Sequence, residues 1–283
     1  MFHRKIASFD GTWIAYRLYG NKEKPWLVLT NGAGCSEHYW TSKLIPTLEN
    51  DFRLLEWDYR GQYDSGPAPG RDAYRVRDHA SDLLAILDAE SIDKAVFLGF
   101  SLGVQVTLEA YSMRPGVFNS LCFVNGSYED PLSSMWGTDK LRPLIAGILE
   151  FASHFPGLVS LLTRVILGGP LALPLAKLNR FCEKDVPREP FDAYMKKVSR
   201  IDPIAYMRIL RLMGEHSAAH VLSGITVPTL LIAGDQDTMT PLQKMREMKS
   251  AIKGSELIVV PGGRHTLLFS RGDWIGNTLK DFL

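Results

Sequence analysis

Apolar positions along the chain follow two periods, and each change of period marks an element. Residues 2–19 read as two strands around a turn at Asp10-Gly11, with the β-rich run Trp13–Tyr19 on the far side. Trp26–Thr30 is a continuous apolar run, the pattern of a strand buried on both faces. It ends in the small-residue loop Asn31-Gly32-Ala33-Gly34. A second short run, Arg53–Trp57, stops at Asp58-Tyr59-Arg60-Gly61, and Gly66–Gly70 excludes regular structure. The period then becomes helical, with Val76, Ala80, Leu83, Leu84 and Leu87 on one face. Ala95–Leu98 is a strand and Gly99–Gly103 a tight turn. The next segment is ambiguous: Val104, Val106 and Leu108 alternate as in a strand, while Val106, Ala110 and Met113 fit a helix. Leu121–Val124 is again a strand.

Past residue 127 the alternation stops. Residues 128–216 show helical stretches and no clear strand, and strand–helix alternation returns with Thr229–Ala233. Thr240 and Pro241 predict an N-cap followed by proline in the first turn. Leu242, Met245, Met248 and Ile252 mark that helix face, with Gly254 as its stop. Leu257–Val260 is a strand, and Ile275, Leu279 and Phe282 mark a last helix. Alternating strands and helices predict an α/β fold with a mostly parallel sheet covered by helices on both faces. The core then comprises 1–127 and 217–283, with 128–216 as an inserted helical cap. Ligands of such sheets sit at the carboxyl ends of the strands.

Composition narrows the function classes. The chain has 283 residues, 46% hydrophobic and 22% charged, enough for a sizeable core without disulfides. A net charge of +1, from 32 basic and 31 acidic side chains, gives no footprint of a nucleic-acid binder. Cys35, Cys122 and Cys182 are widely spaced, which fits neither a disulfide framework nor a zinc site, and points to a reducing cytoplasm. The first residues lack the apolar core of a signal peptide. No apolar run is long enough for a spanning helix, so stable membrane insertion is not expected.

The candidate chemistry centres on Gly99-Phe100-Ser101-Leu102-Gly103, a G-x-S-x-G directly after a strand. A nucleophile must stand clear of the backbone on a sharp turn, and the flanking glycines let strand and helix approach. Chance gives roughly 0.14 such matches in a chain of this composition, so the context has to decide. A serine hydroxyl needs an adjacent base. Of seven histidines, His265 follows the last strand in the loop Pro261-Gly262-Gly263-Arg264-His265. His38, near the glycine loop, is the rival. The base needs a carboxylate to fix its tautomer. Asp237 in Gly234-Asp235-Gln236-Asp237 is preferred; Asp235 reads as a loop cap, and Asp130 is a further substitute.

In the order Ser101, Asp237, His265, with Asn31-Gly32 after the third strand and Asp58-x-Arg60-Gly61 after the fourth, the chain resembles the α/β-hydrolase superfamily, in particular its capped serine-hydrolase members. The resemblance implies an eight-stranded sheet, and a catalytic triad of Ser101, Asp237 and His265. It also implies an oxyanion hole from the backbone N–H groups of Leu102 and of Ala33, with Gly34 as the alternative second donor. The usual His-Gly of that loop is Asn31-Gly32 here, where asparagine can still organise the loop. Asp58 and Arg60 read as loop-organising residues. Serine at the elbow, in place of aspartate, points to acyl transfer without a metal or cofactor.

The segment 143–176 is apolar, carrying only Glu150, Arg164 and His154 as titratable groups. It reads as helices packed on the core or as the wall of a hydrophobic pocket; a membrane-surface role is the weaker reading, for want of a basic polar face. Met135, Trp136 and Phe155 are candidate lining residues, and Cys35 a small buried hydrophobe. The expected activity is carboxylic-ester hydrolysis on a small to medium hydrophobic substrate. Lactone, thioester or carbon–carbon bond hydrolysis on the same triad is the alternative. The last would need cations from Arg142, Arg164, Arg180 or Arg188 to hold a substrate carboxylate. A ligand receptor with little turnover is the third reading. Oligomeric state is not encoded in these patterns.

Overall fold

The computed structural model describes residues 2–131 and 142–283. Its strands are β1 (Phe2–Ala7), β2 (Trp13–Tyr19), β3 (Trp26–Thr30), β4 (Arg53–Trp57), β5 (Ala95–Phe100), β6 (Phe118–Val124), β7 (Thr229–Gly234) and β8 (Glu256–Val260). They form one eight-stranded sheet in the order β1-β2-β4-β3-β5-β6-β7-β8. β2 runs antiparallel to β1 and β4, and all other neighbours are parallel. Successive residues of β3 point to opposite faces, as a strand requires. Leu27 and Leu29 pack toward α1 (Glu37–Thr41), α2 (Leu44–Leu48) and α12 (Leu267–Phe282). Val28 packs toward α3 (Val76–Ala89), α4 (Leu102–Met113), α10 (Ala219–Leu222) and α11 (Leu242–Ala251).

Two local expectations are settled by tertiary context. The ambiguous segment is α4. It is buried on nearly every side from Leu102 to Tyr111. A helix without a polar face carries no amphipathic signal. The predicted N-cap at Thr240 is not used as one. α11 begins at Leu242 with Pro241 in the cap position. The Thr240 hydroxyl instead donates to the Asp237 carboxylate at 2.9 Å, a charge-assisted bond that orients it on the acid loop.

Between β6 and β7 lie α5 (Arg142–His154), α6 (Pro156–Ile166), α7 (Ala172–Leu178), α8 (Arg188–Val198) and α9 (Pro203–Gly214). The chain leaves and rejoins the sheet at one neck. There Glu129 and Ser217 form an isolated antiparallel bridge, and Ala218 N–H donates to the Tyr128 carbonyl at 2.7 Å. The helices lie over the carboxyl ends of the strands: Tyr206 of α9 covers Gly34, and the Tyr194 ring of α8 lies 5.5 Å from that of Tyr39. α7, α8 and α9 bury apolar side chains, whereas α6 buries none and exposes Leu158, Leu161, Leu162 and Val165. No helix of the described residues is long and apolar enough to cross a membrane.

Charged side chains inside the core are paired, as burial demands. Arg60 is fully buried and donates to both oxygens of Asp82 (2.8 and 2.6 Å), to Asp10 (2.8 Å) and to the Ala73 carbonyl (2.9 Å). Asp58 accepts from Arg17 at 3.0 Å, and Arg17 also donates to Glu56 at 2.9 Å. Burial, with Asp58 beside it, pushes the Glu56 carboxyl up to about 8. Asp58 and Arg60 therefore tie the loop after β4 to its neighbours. Replacing Arg60 by Leu leaves Asp82 a buried carboxylate without a cation, held only by the Ser8 hydroxyl at 2.5 Å. It should lower the unfolding free energy by about 3–5 kcal/mol in urea titrations; an unchanged midpoint would show that the pair carries no net stability.

Candidate active site

Ser101 stands between β5 and α4 with φ 54° and ψ −118°, a conformation that L-residues rarely adopt. The turn is sharp because α4 sits directly on the end of β3. A Cβ at Gly103 would lie 2.1 Å from the Thr30 carbonyl oxygen, so only glycine fits. The Leu102 N–H opens α4 and the Ala33 N–H lies in the loop after β3. Neither has an acceptor among the described residues. Both residues line the same cavity as Ser101; Gly34 does not.

Asn31 builds that loop. It is fully buried, and its Nδ2 donates to the Trp57 carbonyl at 2.5 Å. Its Oδ1 accepts from the Trp40 indole and its carbonyl from the Tyr59 hydroxyl. Every polar atom of the side chain is thus engaged in holding the loop.

His265 Nδ1 lies 2.9 Å from Asp237 Oδ2. A carboxylate only accepts, so Nδ1 carries the proton and Nε2 is left with a free lone pair. Asp237 itself is held by Met239 N–H (2.8 Å), Thr240 N–H (3.0 Å) and the Thr240 hydroxyl. Asp235 is exposed and accepts from Gly262 N–H at 2.8 Å, so it caps the turn of the histidine loop. Neither Asp235 nor Asp130 is the partner of the imidazole. His38 lies outside the cavity, next to Glu37. Ser101 and His265 line one cavity without a direct hydrogen bond between them. Such bonds are often loose in ligand-free sites and tighten with substrate.

The loops carrying Asp237 and His265 touch backbone to backbone: a Cβ at Gly234 would lie 2.3 Å from the Gly263 carbonyl oxygen. Asn125, at the end of β6, spans both. It donates to the Arg264 carbonyl at 2.6 Å and accepts from Gly234 N–H at 2.8 Å. Sequence reasoning missed Asn125 and also Glu183, which comes from the helical segment. Glu183 accepts from Arg264 N–H (2.8 Å) and from the Thr266 hydroxyl (2.5 Å), the residues on either side of His265. Its burial in the polar loop between α7 and α8 has no local signature; only the contact reveals it.

A sequence profile of the alpha/beta hydrolase family matches residues 27–276. The chain belongs to the α/β-hydrolase family. A relative from Pseudomonas syringae pv. syringae (strain B728a), named "Putative carbamate hydrolase RutD", is 28% identical over 86% of this chain and 87% of its own. The solved structure of a hydrolase from Pseudomonas aeruginosa PA01 matches with TM-score 0.78 and 26% identity, over 99% of this chain and 97% of that one. The enol-lactonase from Burkholderia xenovorans LB400 shares the fold, with TM-score 0.78 at 23% identity over 99% of each chain. Membership of this α/β-hydrolase family makes the protein a hydrolase.

The cavity holds about 440 Å³ and is lined by Cys35, Tyr39, Phe100, Leu175, Phe181, Leu210 and Met213 among others. Among the described residues, no Asp, Glu, Lys or Arg lines it. Of the expected cations, Arg164, Arg180 and Arg188 are exposed and outside it. Phe155 is half exposed and does not line it either, because it caps the start of the outward-facing α6. Met135, Trp136 and the Arg142 side chain lie outside the described residues. Burial pushes the Cys35 thiol up to about 12, so it stays protonated and behaves as an apolar wall. Glu183→Ala should speed amide hydrogen exchange of residues 262–267 relative to β3; unchanged protection would mean that Asn125, Asp235 and Tyr39 hold the loop without it.

Proposed function

We propose that the protein is a serine hydrolase that cleaves carboxylic esters of small to medium, uncharged, hydrophobic substrates through an acyl-enzyme. The observation that carries this reading is the strained Ser101 and the Asp237-bound His265 on one apolar cavity without a charged side chain among its described lining residues. His265 Nε2 takes the Ser101 proton as Oγ attacks the substrate carbonyl. Asp237 holds the imidazole and stabilises its cation. The Leu102 and Ala33 amides donate to the oxyanion, each worth several kcal/mol of barrier on the order found for such donors. His265 then protonates the leaving alcohol, and a water activated by the same nitrogen releases the acid. The helical segment is the cap that closes the acyl pocket.

A carbamate, the group in the relatives' name, is an anion as the free carbamate ion and neutral as a carbamate ester. An anion placed in this cavity would lose its hydration without gaining a cation, which is unfavourable. The same argument counts against a carbon–carbon hydrolase that must hold a substrate carboxylate. Neutral esters and neutral lactones have no such cost.

A p-nitrophenyl ester series from acetate to dodecanoate should show Ser101-dependent turnover with an optimum at intermediate acyl length. Ser101→Ala should abolish it, Asp237→Asn should lower kcat by roughly 10⁴-fold, and Asp235→Asn by less than about tenfold. Full activity in Ser101→Ala, or a larger loss in Asp235→Asn than in Asp237→Asn, would overturn the assignment. Absence of turnover on every ester would favour the receptor reading.

A further inference from the structure

Apart from the groups around Ser101 and His265, the cavity wall carries a buried side-chain acceptor that has no partner among the described residues. Gln105 lies in the first turn of α4, directly after the Ser101 elbow. It lines the cavity and is 1% exposed. Its Nε2 donates to the Glu129 carbonyl at 2.8 Å. The same carbonyl accepts from the Ser127 hydroxyl at 2.7 Å, whose oxygen in turn accepts from Glu129 N–H at 3.2 Å. A carbonyl can only accept, so the NH₂ of Gln105 must face Glu129. The amide is thereby fixed, and Oε1 is a buried acceptor without a donor among the described residues. Ser127 cannot supply one, because its proton is already committed to Glu129.

We propose that Gln105 Oε1 accepts a hydrogen bond from an uncharged N–H or O–H group of the substrate, placed a few bonds from the scissile carbonyl. The inference rests on the ester-hydrolase reading and narrows its substrate class to N-acylamino or hydroxyacyl esters and their like. The donor is uncharged because an ammonium group would need a carboxylate, and among the described residues none lines the cavity. Leu210 and Met213 of α9 and Met239 share the cavity with Gln105, so the remainder of the substrate is apolar. A substrate without the donor would leave Oε1 desolvated and unpaired, or trap a water there.

The test pairs esters that differ only in the donor. p-Nitrophenyl N-acetylglycinate and levulinate differ by N–H against CH₂. N-acetyl-β-alaninate and 5-oxohexanoate extend the series, and 2- and 3-hydroxyhexanoate are set against hexanoate. At one donor position at least, kcat/KM of the donor ester should exceed that of its isostere by about tenfold. Gln105→Met keeps the side-chain length and leaves Ser127 on the Glu129 carbonyl. It should bring that ratio to about one, chiefly through KM. A ratio near one in the wild type at every position, or a preference retained in Gln105→Met, overturns the proposal. Hexanoate separates the two readings: if it is hydrolysed, a missing preference counts against Gln105 alone. If no ester is hydrolysed, the ester reading fails, and calorimetric binding of the same pairs to Ser101→Ala is judged by the same criterion.

Discussion

The seating of Gly103 against the Thr30 carbonyl is the constraint on which the site depends. Because α4 starts in van der Waals contact with the end of β3, the chain has to reverse within one residue, and Ser101 takes a left-handed conformation to do so. A backbone of that kind costs on the order of 1–3 kcal/mol and persists only where its surroundings over-determine it. They do: α4 is buried from Leu102 to Tyr111, and Ser101 N–H donates to the Val124 carbonyl of the adjacent strand at 3.3 Å. The same seating leaves the Leu102 and Ala33 amides pointing at space instead of at an acceptor.

Around that elbow, polar and apolar groups are segregated. The buried polar atoms that shape the loops are spent on one another: Asn31 on Trp57, Trp40 and Tyr59; Asp237 on His265, Met239 and Thr240; Glu183 on Arg264 and Thr266. Desolvated polar groups are stable only when paired, so such a network rigidifies the loops that carry it. The cavity itself is left with mainly aliphatic and aromatic walls, the Ser101 and His265 side chains, and a few neutral polar side chains such as Gln105, Ser127 and Asn179. Glu183 also binds the helical segment to the histidine loop, so the wall of the pocket and the position of the imidazole are mechanically linked.

Relatives named for a carbamate and neighbours named for an enol-lactone share this scaffold at 28% and 23% identity. A scaffold of this kind carries many chemistries, and the discriminating information lies in the lining residues. Here the described lining residues carry no Asp, Glu, Lys or Arg, and that feature underlies the proposal of a neutral substrate.

Much of this was legible in the sequence. The buried strands read as continuous apolar runs, and the elbow, the Asp237 loop and the His265 loop each follow a strand, so motif and chain order made Ser101, Asp237 and His265 the candidates; the structure puts Asp237 on the imidazole and Ser101 and His265 on one cavity. The loop-organising part of Asp58 and Arg60 was legible too, because both follow a strand with glycine beside them. Other features were decided only by tertiary structure. The direction of the α4 period was hidden because all its faces are buried. Thr240 looked like a helix cap, but its hydroxyl donates to the Asp237 carboxylate instead. Glu183, Asn125 and the Gln105 NH₂ group act across 81, 139 and 24 residues of chain, counted to Arg264, Arg264 and Glu129. Local patterning encodes which residues are buried, since burial follows the period of a single element. Which polar atoms end up paired depends on where distant elements meet, and that is fixed only when the chain packs.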